Sequence, residues 1–167
     1  MAQEYNHQLT TAISFGLTSG VISSIGMIVG LQSATGSRLV VISGIVIMAI
    51  ADGLADSAGI HMSEEAEFEK GRSKHTSREV WMTTILTLFS VLGIVMTFVV
   101  PILVLPLNSA VIVAVAWGFL LLVLLNYHIA KIKGEKPISI IAEHLLLAIA
   151  LIIISNLTGT LLAAALR

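Results

Sequence analysis

The chain is predicted to be an all-α integral membrane protein with five transmembrane helices, and three observations lead there. Hydrophobic residues make up 56% of its 167 residues and charged residues only 11%, with a mean hydropathy of +0.98, far above that of a soluble domain. Residues 8–37, 80–130 and 145–166 contain no Asp, Glu, Lys or Arg, and each run exceeds or matches the ~20 residues that a spanning helix needs. Seven of the nine Lys and Arg residues fall in two connections, Lys70 to Arg78 and Lys131 to Lys136. The positive-inside rule puts those connections and the N-terminus in the cytoplasm. The C-terminus is then outside, as an odd number of spans requires.

The first span, 10–31, follows the polar start "MAQEYNHQ". Its apolar run is span length rather than a short signal-peptide core, so the helix is expected to stay. Gly16, Gly20, Ser23, Met27 and Gly30 share a face, and Gly16 with Gly20 and Gly26 with Gly30 form small-xxx-small pairs. Such a face lets a neighbouring backbone approach closely, so packing is the ordinary use of these glycines and of Met27.

The second span, 39–61, carries the chemistry. In "ADGLADSAGIHMSEEAE", residues 51–67, a helical period of 100° brings Met48, Asp52, Asp56, Gly59, Ser63 and Glu67 within about 100° of one another. A carboxylate in hydrocarbon costs at least ~2.5 kcal/mol and is tolerated where it faces the bundle interior, water or a cation. Two carboxylates one turn apart also repel, so either one stays protonated or a cation lies between them. Oxygen ligands beside a thioether suit Fe²⁺ or Mn²⁺ better than a structural zinc site. The plainer alternative is that both acids are neutral and hydrogen-bonded to neighbouring helices. His61, on the other side of the helix, reads as a polar boundary residue.

Residues 62–79, "MSEEAEFEKGRSKHTSRE", form the one substantial connection, with the helix expected to run on to about Lys70 and to break at Gly71. The whole chain is otherwise one membrane domain. Spans three and four, 80–100 and 108–129, come from a single apolar run divided by Pro101 and Pro106. The fifth span, 138–165, holds Glu143 and His144 two turns inside its start; Glu143 is the third intramembrane acid and shallow enough to snorkel. Ser155 and Asn156 lie deeper, where interhelical hydrogen bonding is the usual role.

The formal charge of −1 gives no sign of nucleic-acid binding, and the absence of cysteine excludes disulfides, thiolate metal sites and cysteine catalysis. No arrangement points to an enzyme. An intramembrane aspartyl protease needs carboxylates facing each other across a cleft, and one helical stripe argues against that.

Three segments resemble the vacuolar iron transporter family. "TSGVISSIGMIVG", 18–30, is similar to its first-helix motif N-D-G-L-V-S-T-x-G-x-x-x-G, and "ADGLADSAGIHMS", 51–63, to its A-D-A-L-S-M-A-A-G-E-Y-V-S. "AKIKGEKPISIIAEHLLLAIALIIISNLTG" is similar to the family's basic loop followed by a Glu and a long apolar helix. The resemblance implies a five-helix homodimer that moves Fe²⁺ or a related divalent ion, such as Mn²⁺, out of the cytoplasm in exchange for protons. The ion is cargo, and no permanently bound cofactor is implied. By position, Asp52 matches the family's second-helix Asp, Gly59 its Gly, and Glu143 the Glu of its last helix. Ser19 stands where the first-helix Asp belongs, Asp56 where a Met belongs, and Ile60 where a Glu follows Gly59. One carboxylate is thus gone from the first helix and another has appeared on the second.

The expected metal site is therefore Asp52 and Asp56 with Ser19 and Met48, supported by Glu143. Glu64 and Glu67, with Glu65 and Glu69, remain from the family's long cytoplasmic metal-binding domain, which is missing here. The expected setting is the cell membrane of a prokaryote, with the lipid bilayer and a second copy of the chain as partners. The other reading is a non-transporting dimeric scaffold or metal sensor that keeps the transporter architecture, favoured by Ser19, Ile60 and the short connection.

Overall fold

The computed structural model describes the backbone of residues 2–69 and 72–166 and the side chains of 9–67 and 73–166. Its order is α1 (Ala2–Thr35), α2 (Arg38–Glu65), β1 (Phe68–Glu69), β2 (Arg72–Ser73), α3 (Ser77–Val104), α4 (Leu107–Lys133) and α5 (Pro137–Ala165). All five helices are long and apolar enough to cross a membrane. The 28 residues of α2 rise ~42 Å at 1.5 Å each, which matches a bilayer with its headgroup layers. The protein is a helical, multi-pass membrane protein.

Each boundary has a local cause. Gly36, at φ 61°, turns the chain out of α1, and the Ser37 hydroxyl then accepts a hydrogen bond from the Val40 amide to start α2. Thr76 and Glu79 form a capping box at the start of α3. Gly134, at φ 68°, closes α4, and Pro137 opens α5. The helices overrun the predicted spans by a few residues because capped helical hydrogen bonding continues past the apolar stretch. Pro101 does not end α3, which continues to Val104; Arg38 donates to the carbonyls of Leu103 and Leu105 at 3.4 and 2.7 Å. Those carbonyls lie at the helix end, where intrahelical donors run out.

The connection after α2 differs from expectation. Helix α2 stops at Glu65 instead of reaching Lys70, and a short antiparallel pair follows, Phe68 opposite Ser73 and Glu69 opposite Arg72. Lys70 and the break expected at Gly71 lie outside the described residues.

Packing is set by small residues. A Cβ on Gly16 would lie 2.8 Å from Ser90 Cβ of α3, and one on Gly20 would lie 2.5 Å from Ile94. The second pair faces another helix: Gly26 meets Leu151, Gly30 meets Ser155, and a Cβ on Gly159 of α5 would lie 2.3 Å from the Gly30 carbonyl oxygen. Thus α1 is the central helix, close to α3 through one glycine pair and to α5 through the other. Asn156 donates to Ser33 Oγ at 2.7 Å, the interhelical use expected of it. Ile25, Phe98, Ile102 and Leu122 fill the buried centre, whereas α5 buries only Ala148 and Gly159. Large apolar side chains such as Ile47, Phe89, Ile154 and Leu161 face outward, as a bilayer permits.

Candidate cation site

Helix α2 is held on two sides. Gly44 sits against Leu31 and Met27 of α1, and Gly53 against Leu88 of α3. Its buried residues, Val41, Ile45, Met48, Ala49, Gly53, Ser57 and Glu64, trace the inward face, and Asp52 and Asp56 lie among them, both half-buried. Asp52 is at the middle of the helix and Asp56 one turn nearer Glu65. The antiparallel register fixed by Gly44 against Met27 and Leu31 brings half-buried Ser19 level with the stretch from Asp52 to Asp56. Oδ2 of Asp56 is buried and has no hydrogen-bond partner among the described residues. A buried acceptor without a donor costs about 1–3 kcal/mol, and more when charged. Met48, 7% exposed, belongs to the apolar core one turn from Asp52.

The remaining acids divide differently from the sequence stripe. Glu64 is buried at 5% exposure, and its Oε2 also has no partner among the described residues. Glu67 lies past the end of α2 and is exposed, where it accepts from Lys74 Nζ and from His75 Nε2 at 3.3 Å. Those hydrogen bonds, Lys74 first and His75 second, hold its carboxyl below the ordinary value of 4.5. Glu67 is thus tied into its own loop instead of continuing the α2 stripe, a correction that follows from where the helix ends. Gly59 and Ser63 are exposed, and Gly59 faces open space. The side chain of Glu69 is outside the described residues.

Glu143 does not join the aspartates. It is exposed on α5, which packs on α1 and α4. Among the described residues, no three His, Cys, Asp or Glu side chains come together as a metal-binding group. A single chain therefore offers the Asp52 and Asp56 carboxylates with weaker oxygen and sulfur donors around them.

His61 has a structural place. The Thr84 hydroxyl donates to the Val80 carbonyl at 2.7 Å, so it accepts from His61 Nδ1 at 2.8 Å, and the imidazole meets Trp81 edge-on at 4.7 Å. Nε2 lies 3.4 Å from Glu65. These contacts join α2 to α3 at the end of the bundle, in keeping with a boundary residue.

Reading the sequence missed two polar features. Thr83 and Thr87 are fully buried on α3 and donate to the carbonyls four residues back, at 3.0 and 2.9 Å. Their one-turn spacing in an apolar run was the available signal. Asn126 of α4 is 1% exposed, with Nδ2 donating to Leu122 at 2.7 Å and Oδ1 unpartnered among the described residues. Compared with protein-family models and with curated proteins, the chain matches none.

Proposed function

We propose that the protein is a divalent-cation transporter, moving Fe²⁺, or else Mn²⁺, out of the cytoplasm by proton antiport as a homodimer. It is read as a small relative of the vacuolar iron transporters in which the acid of the first helix has moved to position 56 of the second. The observation that carries this reading is the Asp52 and Asp56 pair at the middle of a spanning helix, with the buried Asp56 Oδ2 left without a donor. Unpaired acids at such depth are retained where they do chemistry. A divalent ion between them would satisfy that oxygen and cancel the repulsion of the pair. Ser19, level with the pair, contributes a hydroxyl oxygen, and buried Glu64 draws the ion along α2.

The mechanism follows from competition. When the ion is absent, a proton on one carboxylate relieves the pair; when the ion arrives, that proton leaves, because a metal ligand must be deprotonated. Cation and proton occupy the same oxygens in turn. Alternating exposure of the pair to the two sides then couples the flows.

Uptake of Fe²⁺ or Mn²⁺ into proteoliposomes under a pH gradient tests this directly. Asp56→Asn and Asp52→Ala should each lower the rate at least about tenfold, since even outer-shell partners of metal ligands are worth that much. Wild-type uptake in Asp52→Ala would remove that residue from the site. The lack of a third acid beside the pair among the described residues, with Ser19 and Ile60 in place of acids, favours a second reading, a non-transporting dimeric scaffold or metal sensor. No flux above empty vesicles under any gradient would select it.

A further inference from the structure

A cavity of about 510 Å³ lies between α1, α4 and α5, on a face of α1 other than the one that packs on α2. It is lined by Ser14 and Thr18 of α1, Asn126 and Lys133 of α4, and Ile140 and His144 of α5. It opens where the glycine contacts of α1 with α5 stop: Gly26, Gly30 and Gly159 fix the far half of that pair. Lys133 is the last residue of α4, so the cavity runs from the α4–α5 turn inward to Asn126, a depth of about 10 Å at 1.5 Å per residue.

Its lining is mostly apolar, with Phe15, Ile129, Ile132 and Ile140, but polar groups interrupt it and one acceptor among them is unmet. Asn126 is 1% exposed, and its buried Oδ1 has no partner among the described residues. His144 Nδ1 donates to the Ile140 carbonyl at 2.9 Å, which leaves Nε2 to accept in the neutral ring. Thus two acceptors and the Ser14 and Thr18 hydroxyls line a space large enough for on the order of ten waters at ~30 Å³ each. Among the described residues no carboxylate lines it, and Lys133 lies exposed at the turn.

We infer that this cavity is a hydrated inlet, a route for water and protons into the membrane that is separate from the Asp52 and Asp56 face and excludes the metal cation. Donors from water meet Asn126 Oδ1 and His144 Nε2, and the hydroxyls of α1 continue the chain toward Lys133. Assigning the inlet to the proton half of the exchange rests on the transporter reading; its hydration does not.

The chain has no cysteine, so single thiols report without background. Ser14→Cys and Thr18→Cys, in lipid nanodiscs, are treated with a charged, lipid-insoluble thiosulfonate, beside Ser73→Cys on the exposed loop and Leu146→Cys on the outward face of α5. Both inlet thiols should react with a sulfonate reagent within about tenfold of the loop thiol, and Leu146→Cys at least about 100-fold more slowly, because a charged reagent is excluded from hydrocarbon. Inlet thiols as slow as Leu146→Cys would mean that acyl chains fill the cavity and would overturn the proposal. A trimethylammonium reagent faster than the sulfonate by tenfold or more would overturn cation exclusion. In proteoliposomes with a lumenal pH dye, Asn126→Leu should slow metal-driven proton movement while calorimetric metal binding stays as in wild type; unchanged proton movement would overturn the proton assignment. If wild-type vesicles carry no metal at all, the transporter reading and the proton assignment fall together, and the labelling rates still decide whether the inlet is wet.

Discussion

Asp56 and His61 lie five positions apart on α2, and their surroundings give them opposite roles. His61 is fastened to Thr84 and Trp81, whereas the buried oxygen of Asp56 meets no donor among the described residues. That difference predicts a conflict between stability and function at position 56. A buried carboxyl oxygen without a donor weakens a fold, so without metal Asp56→Asn should unfold at a higher temperature than wild type, by an amount equivalent to about 1–3 kcal/mol, while binding less metal. Thermal unfolding in detergent, with and without Mn²⁺, measures both; a variant less stable than wild type without metal would mean that the carboxylate is already satisfied by protein. The aspartates were legible in the sequence because acids are rare in apolar spans. Their lack of protein donors was not, since it depends on what α1 and α3 present at that depth.

At the scale of elements, glycines with the same spacing do different work. Gly159 lies against the backbone of α1, so Gly159→Ala must push α5 away and should destabilise the protein by about 1–3 kcal/mol. Gly59, on an exposed helix face with nothing near it, should gain up to about 1 kcal/mol from Gly59→Ala through helix propensity alone. Denaturant titration of the two variants checks the contrast. The β1–β2 loop makes a pH prediction. Glu67 has its carboxyl lowered below 4.5 by Lys74 and His75, so its contribution is complete above that value and is lost as pH falls through the lower folded value. Protection of the Lys74 amide relative to its intrinsic exchange rate, where it donates to the Glu67 carbonyl at 3.0 Å, should therefore fall only below about pH 4.5. Equal protection at pH 6 and pH 3 would separate the loop from that ion pair. The sequence placed Glu67 on the helical stripe because periodicity alone does not reveal where a helix stops; the termination at Glu65 moved it into the loop.

For the molecule as a whole, two carboxylates supply at most four of the six ligands of an octahedral divalent ion, and no third acid adjoins them among the described residues. In the proposed homodimer a second chain is expected to add donors to that site. Light scattering in detergent should give the mass of two chains, and calorimetry one ion for each pair; a monomer that binds one ion per chain would remove the shared site. The sequence by itself determined the five spans, their order and the depth of the aspartates. Hydrocarbon forces each segment to satisfy its own backbone, so hydropathy and length are sufficient to find it. Only the tertiary structure decided which acids are buried: Asp56 Oδ2 on the inward face, Glu64 rather than Glu67 further along α2, and Glu143 exposed and apart on α5. It also decided that Asn126 lines a cavity. Those outcomes depend on which glycine faces which helix, a relation between distant residues that no local period encodes.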